Sequence, residues 1–359
     1  MKKKTIVHII YNLGRGGAET MLIAVLKELQ EYNNILITLN CDNHFGKDLP
    51  CSKYICLNVK NIPFLPFYRF KLRRLIKENN ADVVHTHLFW PTFLARLSVP
   101  KKIPLITTIH AFIATSVEYK NWYIRWLDKI SYRFRKNIII AVANGALTDY
   151  FSFLHLKPFR SYALYTFVDT RIFSLPDSGP QLNDDGFKLV SVGALRIQKN
   201  HTYLIKAFRL LKNENIELHI YGEGPLQSDL QQQIDDDPVK VILKGEVNNI
   251  QQLLGEYDLF AMSSTFEGFS LGVLEAMALQ RTLLLSDIRS FREQCEDTAV
   301  YFDLNDPVDF TIKLKQLIAD KNKQVALAKK GRIRALENFT LEHHMKGLRS
   351  IYNETLNPY

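Results

Sequence analysis

Residues 5–30 read TIVHIIYNLGRGGAETMLIAVLKELQ: a six-residue apolar run, a glycine-rich turn and an amphipathic segment of helix length. A short β-rich run that gives way to a turn and then to helical periodicity opens an α/β unit. The same alternation continues outward from it through NILITLN, ADVVHTH, PLITTIH and NIIIAVA, each run set apart by a helix-length segment. Strands that are apolar on both faces belong in a parallel sheet with helices on either side. The alternation pauses at residues 169–186, DTRIFSLPDSGPQLNDDG, where Pro, Gly, Asp and Ser cluster, and resumes with FKLVSVGAL, IELHIYG, VKVILKG, LFAMSS and TLLLSD. This organisation predicts a first Rossmann-like domain over 1–168, a linker over 169–187 and a second Rossmann-like domain over 188–340. Residues 341–359 form a last helix with no strand after it, free to cross back to the first domain.

The totals agree with two ordinary cores: 359 residues, 47% apolar and 23% charged, with 13 Pro and 16 Gly. The four cysteines show no C-x-x-C pair, and no histidine cluster stands at zinc-ligand spacing, so a reduced cytoplasmic setting and no metal are expected. The N-terminal MKKKTIVHIIYNLG is too short in its apolar run for a signal peptide, and no stretch approaches the ~20 apolar residues of a membrane span. Charge is uneven. Residues 1–180 hold 25 basic against 12 acidic side chains, and residues 181–359 hold 21 against 25. The first half therefore seeks an anionic partner, and nucleic acid, an acidic membrane face and an anionic substrate all qualify on charge alone.

In open parallel sheets, ligands bind beyond the carboxyl ends of the strands, so the residues after each strand carry the functional argument. After the first strand, Gly16 and Gly17 in NLGRGGAET open a helix whose free amides attract anions; a tight strand–helix turn needs the same glycines. The order G-x-G-G departs from the dinucleotide fingerprint. His85, His87 and His110 fall at the ends of two successive strands, where neutral imidazole can hydrogen-bond a substrate hydroxyl or move a proton. Arg196 and Lys199 in VGALRIQKNH suit a phosphate pair or a solvated surface. The glycines of IYGEGP and VILKGEV make either room for a base or a simple turn. In TFEGFSLGVLEAMALQ, residues 265–280, Glu267 lies in the loop after a strand, Ser270 is placed to cap the next helix, and Glu275 sits on that helix's second turn. Two carboxylates on one side of a pocket accept hydrogen bonds from the hydroxyls of sugars and riboses.

These residues together carry a resemblance. With GRGGAE, TTIH, VGALRIQKNH, YGEGP and above all EGFSLGVLEAMA, the chain resembles over nearly its whole length the retaining glycosyltransferases of family 4. That family has the GT-B fold, two Rossmann-like α/β domains whose parallel sheets face a central cleft, and an E-x7-E signature. The resemblance implies that Glu275 holds the ribose of a nucleotide-sugar donor, and that Glu267 sits by the sugar. Gly268, Phe269, Ser270 and Leu271 would line the donor site. Gly16 and Gly17 would approach the diphosphate, Arg196 and Lys199 neutralise it, and His110 contact the donor sugar. His85 and His87 are the candidates on the acceptor side. No metal is expected, because fixed cations and a helix dipole stabilise the leaving diphosphate. The chain departs from the family pattern at Ala194, where arginine is common, at Gln280-Arg281-Thr282 and at Thr166-Phe167.

Two segments of the first domain mix cations with aromatics, residues 62–77 (IPFLPFYRFKLRRLIK) and 118–137 (EYKNWYIRWLDKISYRFRKN). Trp122, Tyr123, Trp126, Phe67 and Tyr68 suit a headgroup boundary, with Arg73, Arg74, Arg133, Arg135 and Lys136 facing anionic lipid. No nucleic-acid-binding motif accompanies the charge. The expectation is a cytoplasmic, membrane-peripheral transferase that moves a sugar, from a UDP-sugar by preference, to a lipid-linked glycan of a surface polysaccharide. A nucleotide-sugar epimerase of the same architecture, a dinucleotide-dependent oxidoreductase and a non-catalytic sugar-binding subunit are the rivals.

Overall fold

The structure, a computed structural model, describes residues 3–14, 16–175, 186–247 and 249–357. The chain forms two compact units, one comprising Met1–Thr166 with His344–Tyr359 and the other Phe167–His343. Most of the sequence-predicted linker, residues 176–185, lies outside the described residues, as does Arg15 of the glycine-rich turn.

The first unit is a seven-stranded sheet built from β1 (Thr5–Ile10), β2 (Asn33–Thr38), β3 (Lys53–Cys56), β4 (Val83–His87), β5 (Leu105–Ile109), β6 (Ile138–Ala141) and β7 (Arg160–Ala163). Its order is β3-β2-β1-β4-β5-β6-β7, and every pairing is parallel. Between the strands run α1 (Gly17–Glu28), α2 (Arg69–Glu78), α3 (Phe89–Ser98), α4 (Trp122–Phe134) and α5 (Asn144–Phe153). The second unit is a six-stranded parallel sheet of β8 (Phe187–Val192), β9 (Ile216–Tyr221), β10 (Val241–Gly245), β11 (Leu259–Met262), β12 (Thr282–Ser286) and β13 (Val300–Phe302), ordered β10-β9-β8-β11-β12-β13. Its helices are α6 (His201–Arg209), α7 (Gln227–Asp236), α8 (Ile250–Leu253), α9 (Leu271–Ala278), α10 (Arg289–Cys295), α11 (Pro307–Ala319) and α12 (Lys321–Asn338). In each sheet the strand order reverses direction beside the first strand, between β1 and β4 and again between β8 and β11. Such switch points leave a crevice at the carboxyl ends where neighbouring loops diverge.

The central strands are buried throughout, as β1, β4 and β5 show, so their side chains form the core without alternation. The last helix, α13 (Leu341–Leu356), returns the chain to the first unit. Tyr352 lies fully buried there, its hydroxyl 2.6 Å from His85 Nδ1, while the Tyr162 hydroxyl donates to Glu354 at 2.8 Å and Arg349 pairs with Glu31 at 2.6 Å. Inside the same unit Arg96 and Asp128 form an ion pair of 2.5 Å with side chains 0% and 2% exposed. Asn137, Ser131, Tyr150 and Tyr119 fill the remaining hydrogen-bond positions of that pair, as buried charge requires.

One expectation changes. Cys41, just past β2, and Cys56, the end of β3, are joined by a disulfide with Cα atoms 5.5 Å apart, and only Cys51 and Cys295 are free among the described residues. Sequence spacing is silent about partners that adjacent strands bring together.

Candidate functional site

The switch point of the second unit gathers the two motifs that the sequence marks. The loop after β8 and the loop after β11 are laced to each other. Thr265 N–H donates to Gln198 C=O at 2.9 Å, Gln198 Nε2 to Phe266 C=O at 2.9 Å, and Ser263 Oγ to the carbonyls of Lys199 and Asn200 at 3.0 and 2.9 Å. Lys199 Nζ thereby meets Glu267 Oε1 at 2.7 Å, and Ser264 Oγ donates to the same oxygen at 2.7 Å. Glu267 is buried; Arg196 is exposed, and its side chain has no ion pair among the described residues.

Gly222 and Gly224 of YGEGP have a structural duty here. A Cβ on Gly222, at φ +143°, would strike the Gly193 carbonyl, and one on Gly224 would lie 2.5 Å from the Leu195 carbonyl oxygen. These glycines let the chain after β9 pack against Gly193–Leu195 at the start of the loop after β8, so the room beside them is filled by backbone rather than left for a base.

Ser270 stands at the N-cap of α9 in extended conformation, but its hydroxyl points to Met262 Sδ, 3.6 Å away, and makes no cap bond. Gln294 on α10 clamps the Ser270 backbone instead, its Oε1 accepting the amide at 3.0 Å and its Nε2 donating to the carbonyl at 2.8 Å. The Ser270 amide is thus consumed within the fold. The first helical bond of α9 runs from Leu274 N–H to Ser270 C=O, which leaves the amides of residues 271–273 ahead of the ladder with the positive end of the helix dipole. Phe269 is buried and packs edge-on against Phe339 at 5.0 Å. Glu275 is half-buried one turn further on, and no hydrogen bond to its carboxylate occurs among the described residues. Burial raises its carboxyl to about 7, with Lys199 pulling the other way. An unpartnered carboxyl beside a Lys–Glu pair and a helix N-terminus can receive hydroxyl donors and an anion together. Gln294 and Ser264 belong to this site without any sequence signal.

In the first unit, Gly16 is the N-cap of α1 and Gly17 its first residue. His110 is half-buried beyond β5, and its Nε2 lies 3.1 Å from His87 Nδ1. Burial, helped by His344, lowers His110 to about 3, so the ring is neutral at pH 7. His85 and His87 are each 3% exposed, buried rather than standing at a rim. Residues i and i+2 of a strand share a face, and here that face stacks the two rings 4.5 Å apart against His8, beneath α1 and α13. His85 is saturated by Tyr352 and by Thr108 Oγ1 at 2.7 Å.

His8, His85 and His87 hold nitrogens within 4.8 Å of one another, the spacing a metal ion needs. Both His85 nitrogens are engaged, and the surrounding wall of Met21, Leu22, Val25, Ile140 and Leu348 carries no counter-charge. A cavity of about 10 Å³ is lined by the three histidines, His8 Nδ1 and His87 Nε2 are buried without a partner, and that space suits one water better than a dication. Among the sequence-predicted lipid-facing cations, Arg135 turns inward onto the carbonyls of Ile103, Lys101 and Pro100.

Two parallel-sheet units make up the protein, the second with a Lys–Glu pair and a helix N-terminus at its switch point. Consistent with that, the chain matches Glycosyltransferase Family 4 over residues 15–172 and Glycosyl transferases group 1 over residues 177–334. The protein is a family-4-like glycosyltransferase of GT-B architecture. It is 28% identical over 349 residues to the N-acetylgalactosamine-N,N'-diacetylbacillosaminyl-diphospho-undecaprenol 4-alpha-N-acetylgalactosaminyltransferase of Campylobacter jejuni, covering 91% of this chain and 93% of that one. To the Escherichia coli UDP-Gal:alpha-D-GlcNAc-diphosphoundecaprenol alpha-1,3-galactosyltransferase it is 24% identical, over 83% and 81% of the two chains. In fold it is similar to Anabaena HepE, solved with UDP and glucose, at a TM-score of 0.84 and 17% identity over 97% of this chain and 99% of that one.

Proposed function

We propose that the protein is a retaining glycosyltransferase that moves a sugar from a UDP-sugar onto an undecaprenol-diphosphate-linked glycan in the assembly of a surface polysaccharide. The observation that carries the donor half is the Lys199–Glu267 pair at the β8/β11 switch point with the unpartnered Glu275 beside it. The relatives named above act on diphospho-undecaprenol-linked sugars and support the acceptor class.

In this mechanism the bond from the anomeric carbon to the diphosphate oxygen breaks as the acceptor hydroxyl oxygen bonds that carbon from the same face. The hydroxyl proton passes to the departing phosphate oxygen. Charge that develops on the nucleoside diphosphate is met by Lys199, Arg196 and the amides of residues 271–273, in place of a metal. Glu275 accepts the ribose hydroxyls. Glu267, fixed by Lys199 and Ser264, accepts from the sugar. Among the described residues no helix is long and apolar enough to cross a membrane; the exposed aromatics of α4 and of residues 62–70 bring the enzyme to the inner face of the cytoplasmic membrane as a peripheral protein.

Thermal-shift titration with UDP, GDP, ADP and NAD tests the reading. UDP stabilises the protein if it holds; stabilisation by NAD alone sinks it. Consumption of a UDP-sugar that proceeds to a new sugar without any acceptor present would mark an epimerase instead.

A further inference from the structure

The disulfide between Cys41 and Cys56 lies beside the chain that leads into the glycine-rich turn of the first unit. Past the end of β2, residues 39–44 run alongside the continuation of β1. Asn40 N–H donates to Tyr11 C=O at 2.7 Å, Leu13 N–H to Asp42 C=O at 2.9 Å, and His44 N–H to Leu13 C=O at 2.9 Å. Cys41 stands in the middle of this ladder, and the disulfide pins it to the end of β3, the edge strand paired with β2. Leu13, the residue before Gly14, is fully buried in a small apolar cluster with Leu22, Ile23 and Leu26 of α1. Phe45, Leu49 and Cys51 pack against the same cluster, and all three belong to the loop that the disulfide closes over a sequence separation of 15. The disulfide therefore closes a loop that grips, by hydrogen bonds and by apolar contact, the residue from which the turn and α1 are launched.

The bond is open to exchange. Cys41 is exposed and Cys56 half-buried, so a small thiol reaches Cys41 Sγ from solvent. Burial raises the other two thiols, Cys51 and Cys295, which keeps them protonated and removes them as competing nucleophiles. The exchange itself is a two-electron step. A thiolate of an external dithiol attacks Cys41 Sγ, the S–S bond breaks, and Cys56 leaves as a thiolate that takes up a proton. The second thiolate of the reductant then displaces Cys41, and the dithiol departs as its own disulfide. Glutathione disulfide runs the reaction backward, accepting the two electrons and leaving as two thiols. Reduction loosens the loop and not the sheet, because Leu57 N–H still donates to Thr38 C=O and Val59 N–H to Leu39 C=O, each at 2.8 Å.

We propose that Cys41–Cys56 is a reversible dithiol–disulfide exchange site whose redox state sets the order of the glycine-rich turn and, through it, the rate of sugar transfer. The turn follows β1 at the switch point of the first sheet, where an open parallel sheet receives its ligands, so its order bears on function. An enzyme at the inner face of the cytoplasmic membrane works where thiols are kept reduced, and disulfides found there are for the most part redox-sensing or catalytic. The effect on rate and the cellular setting rest on the glycosyltransferase reading; the exchange and the response of the turn rest on the disulfide and the ladder alone.

The test is amide hydrogen exchange on the full chain, read by mass spectrometry after equilibration with glutathione disulfide or with dithiothreitol. Maleimide labelling of the denatured protein counts the thiols in each sample, and two are expected to disappear on oxidation. Reduction is expected to speed exchange about tenfold in peptides covering residues 11–14 and 40–50, since the loop-closure constraint is gone, and to leave α6 of the second unit unchanged. Cys41→Ser shows the fast pattern under both conditions, whereas Cys51→Ser still responds; unchanged exchange in α6 reports that both variants are folded. Transfer by the reduced enzyme is about threefold slower, because a loosened turn positions its reactants less well. The proposal is overturned if all four thiols survive glutathione disulfide, if exchange at residues 11–14 ignores the redox state, if Cys41→Ser still responds, or if both states transfer sugar at one rate. A protein that shows the exchange response but transfers no sugar in either state keeps the redox site and overturns the glycosyltransferase reading instead.

Discussion

Lys199 Nζ lies 2.7 Å from Glu267 Oε1, with side-chain exposures of 18% and 9%, although 68 residues separate the two in sequence. A cation so placed is held in position, and Lys199 and Ser264 share one oxygen of the carboxylate that holds it; on the proposed function the cation then meets a phosphate and the other carboxylate oxygen a sugar hydroxyl. Preorganised charge of this kind costs no rearrangement at the moment of reaction.

Breaking the pair is asymmetric. Lys199→Ala leaves a buried carboxylate with Ser264 as its partner, whereas Glu267→Gln leaves an ammonium that can turn toward solvent. The lysine variant is expected to lose about 1–3 kcal/mol of stability, the glutamine variant less, and either to lose about 10²–10³ in transfer rate. Thermal melts alongside UDP-sugar turnover check both, and a fully active Lys199→Ala would remove the pair from the mechanism.

On the proposed function, in which Glu275 holds the ribose, nucleotide binding is coupled to pH. Its carboxyl is raised to about 7 in the folded protein, and hydroxyl donors favour the ionised form. UDP affinity is therefore expected to rise as pH climbs from 6 to 8, with proton release on binding near pH 7. Isothermal titration calorimetry in buffers of different ionisation enthalpy reads that proton. Glu275→Gln should abolish the release; if the variant releases as much as the wild type, the ribose is held elsewhere.

What the sequence reveals of this protein depends on how completely each element is buried. The central strands are legible as apolar runs, but the edge strands β3 and β7, exposed or half-buried at every position, carry no such signal in KYIC and RSYA. Motif spacing places Lys199 and Glu267 in loops after strands and Glu275 on the helix that follows, and the structure has them there. His85 and His87 are misplaced at a rim by the same reading: strand-end position does not say that α13, from the far end of the chain, covers their face. The clamp of Gln294 on Ser270 spans 24 residues and two elements, which no local pattern encodes.

The buried histidines make the fold acid-labile. Burial lowers His8, His201 and His344 to about 4, His110 to about 3, and His85 and His87 well below their usual 6.5. Between about pH 4 and 6.5 the unfolded chain binds protons that the native state refuses, so stability is full above 6.5 and is lost as pH falls. Each such group contributes a slope of about 1.4 kcal/mol per pH unit. Glu118 and Glu275, raised to about 7, act in the opposite sense, because the native state keeps their protons and their contribution declines from pH 4.5 to 7. Six groups outweigh two, and the melting temperature should fall between pH 7 and pH 5.5. Imidazole nitrogen shifts in a long-range ¹H–¹⁵N spectrum at pH 6 check the cause: protonated His8 and His85 there would refute it.

The last prediction concerns lipid. On α4, Trp122, Trp126, Ile130 and Phe134 recur every four residues and are 70%, 55%, 46% and 72% exposed. Phe64, Phe67 and Phe70 on residues 62–70 are likewise exposed, at 57%, 72% and 65%. α2 and α4 both pack beside α3, which places these side chains in one layer of the first unit. The same two segments, 62–77 and 118–137, carry exposed Arg69, Arg73, Arg74, Arg125, Arg133 and Lys136, at about 1 kcal/mol each near an anionic headgroup layer. Aromatics that reach the headgroup boundary together with cations beside them favour an anionic bilayer over a protein groove, since rings and charges are then satisfied at the same depth. The protein should co-sediment with phosphatidylglycerol-containing vesicles at low salt, release partly at high salt, and ignore purely zwitterionic vesicles. The double variant Trp122→Glu with Trp126→Glu should abolish co-sedimentation yet bind UDP as the wild type does, because both rings belong to the first unit and the proposed nucleotide residues to the second. Vesicle binding that survives both substitutions would assign this surface to another partner.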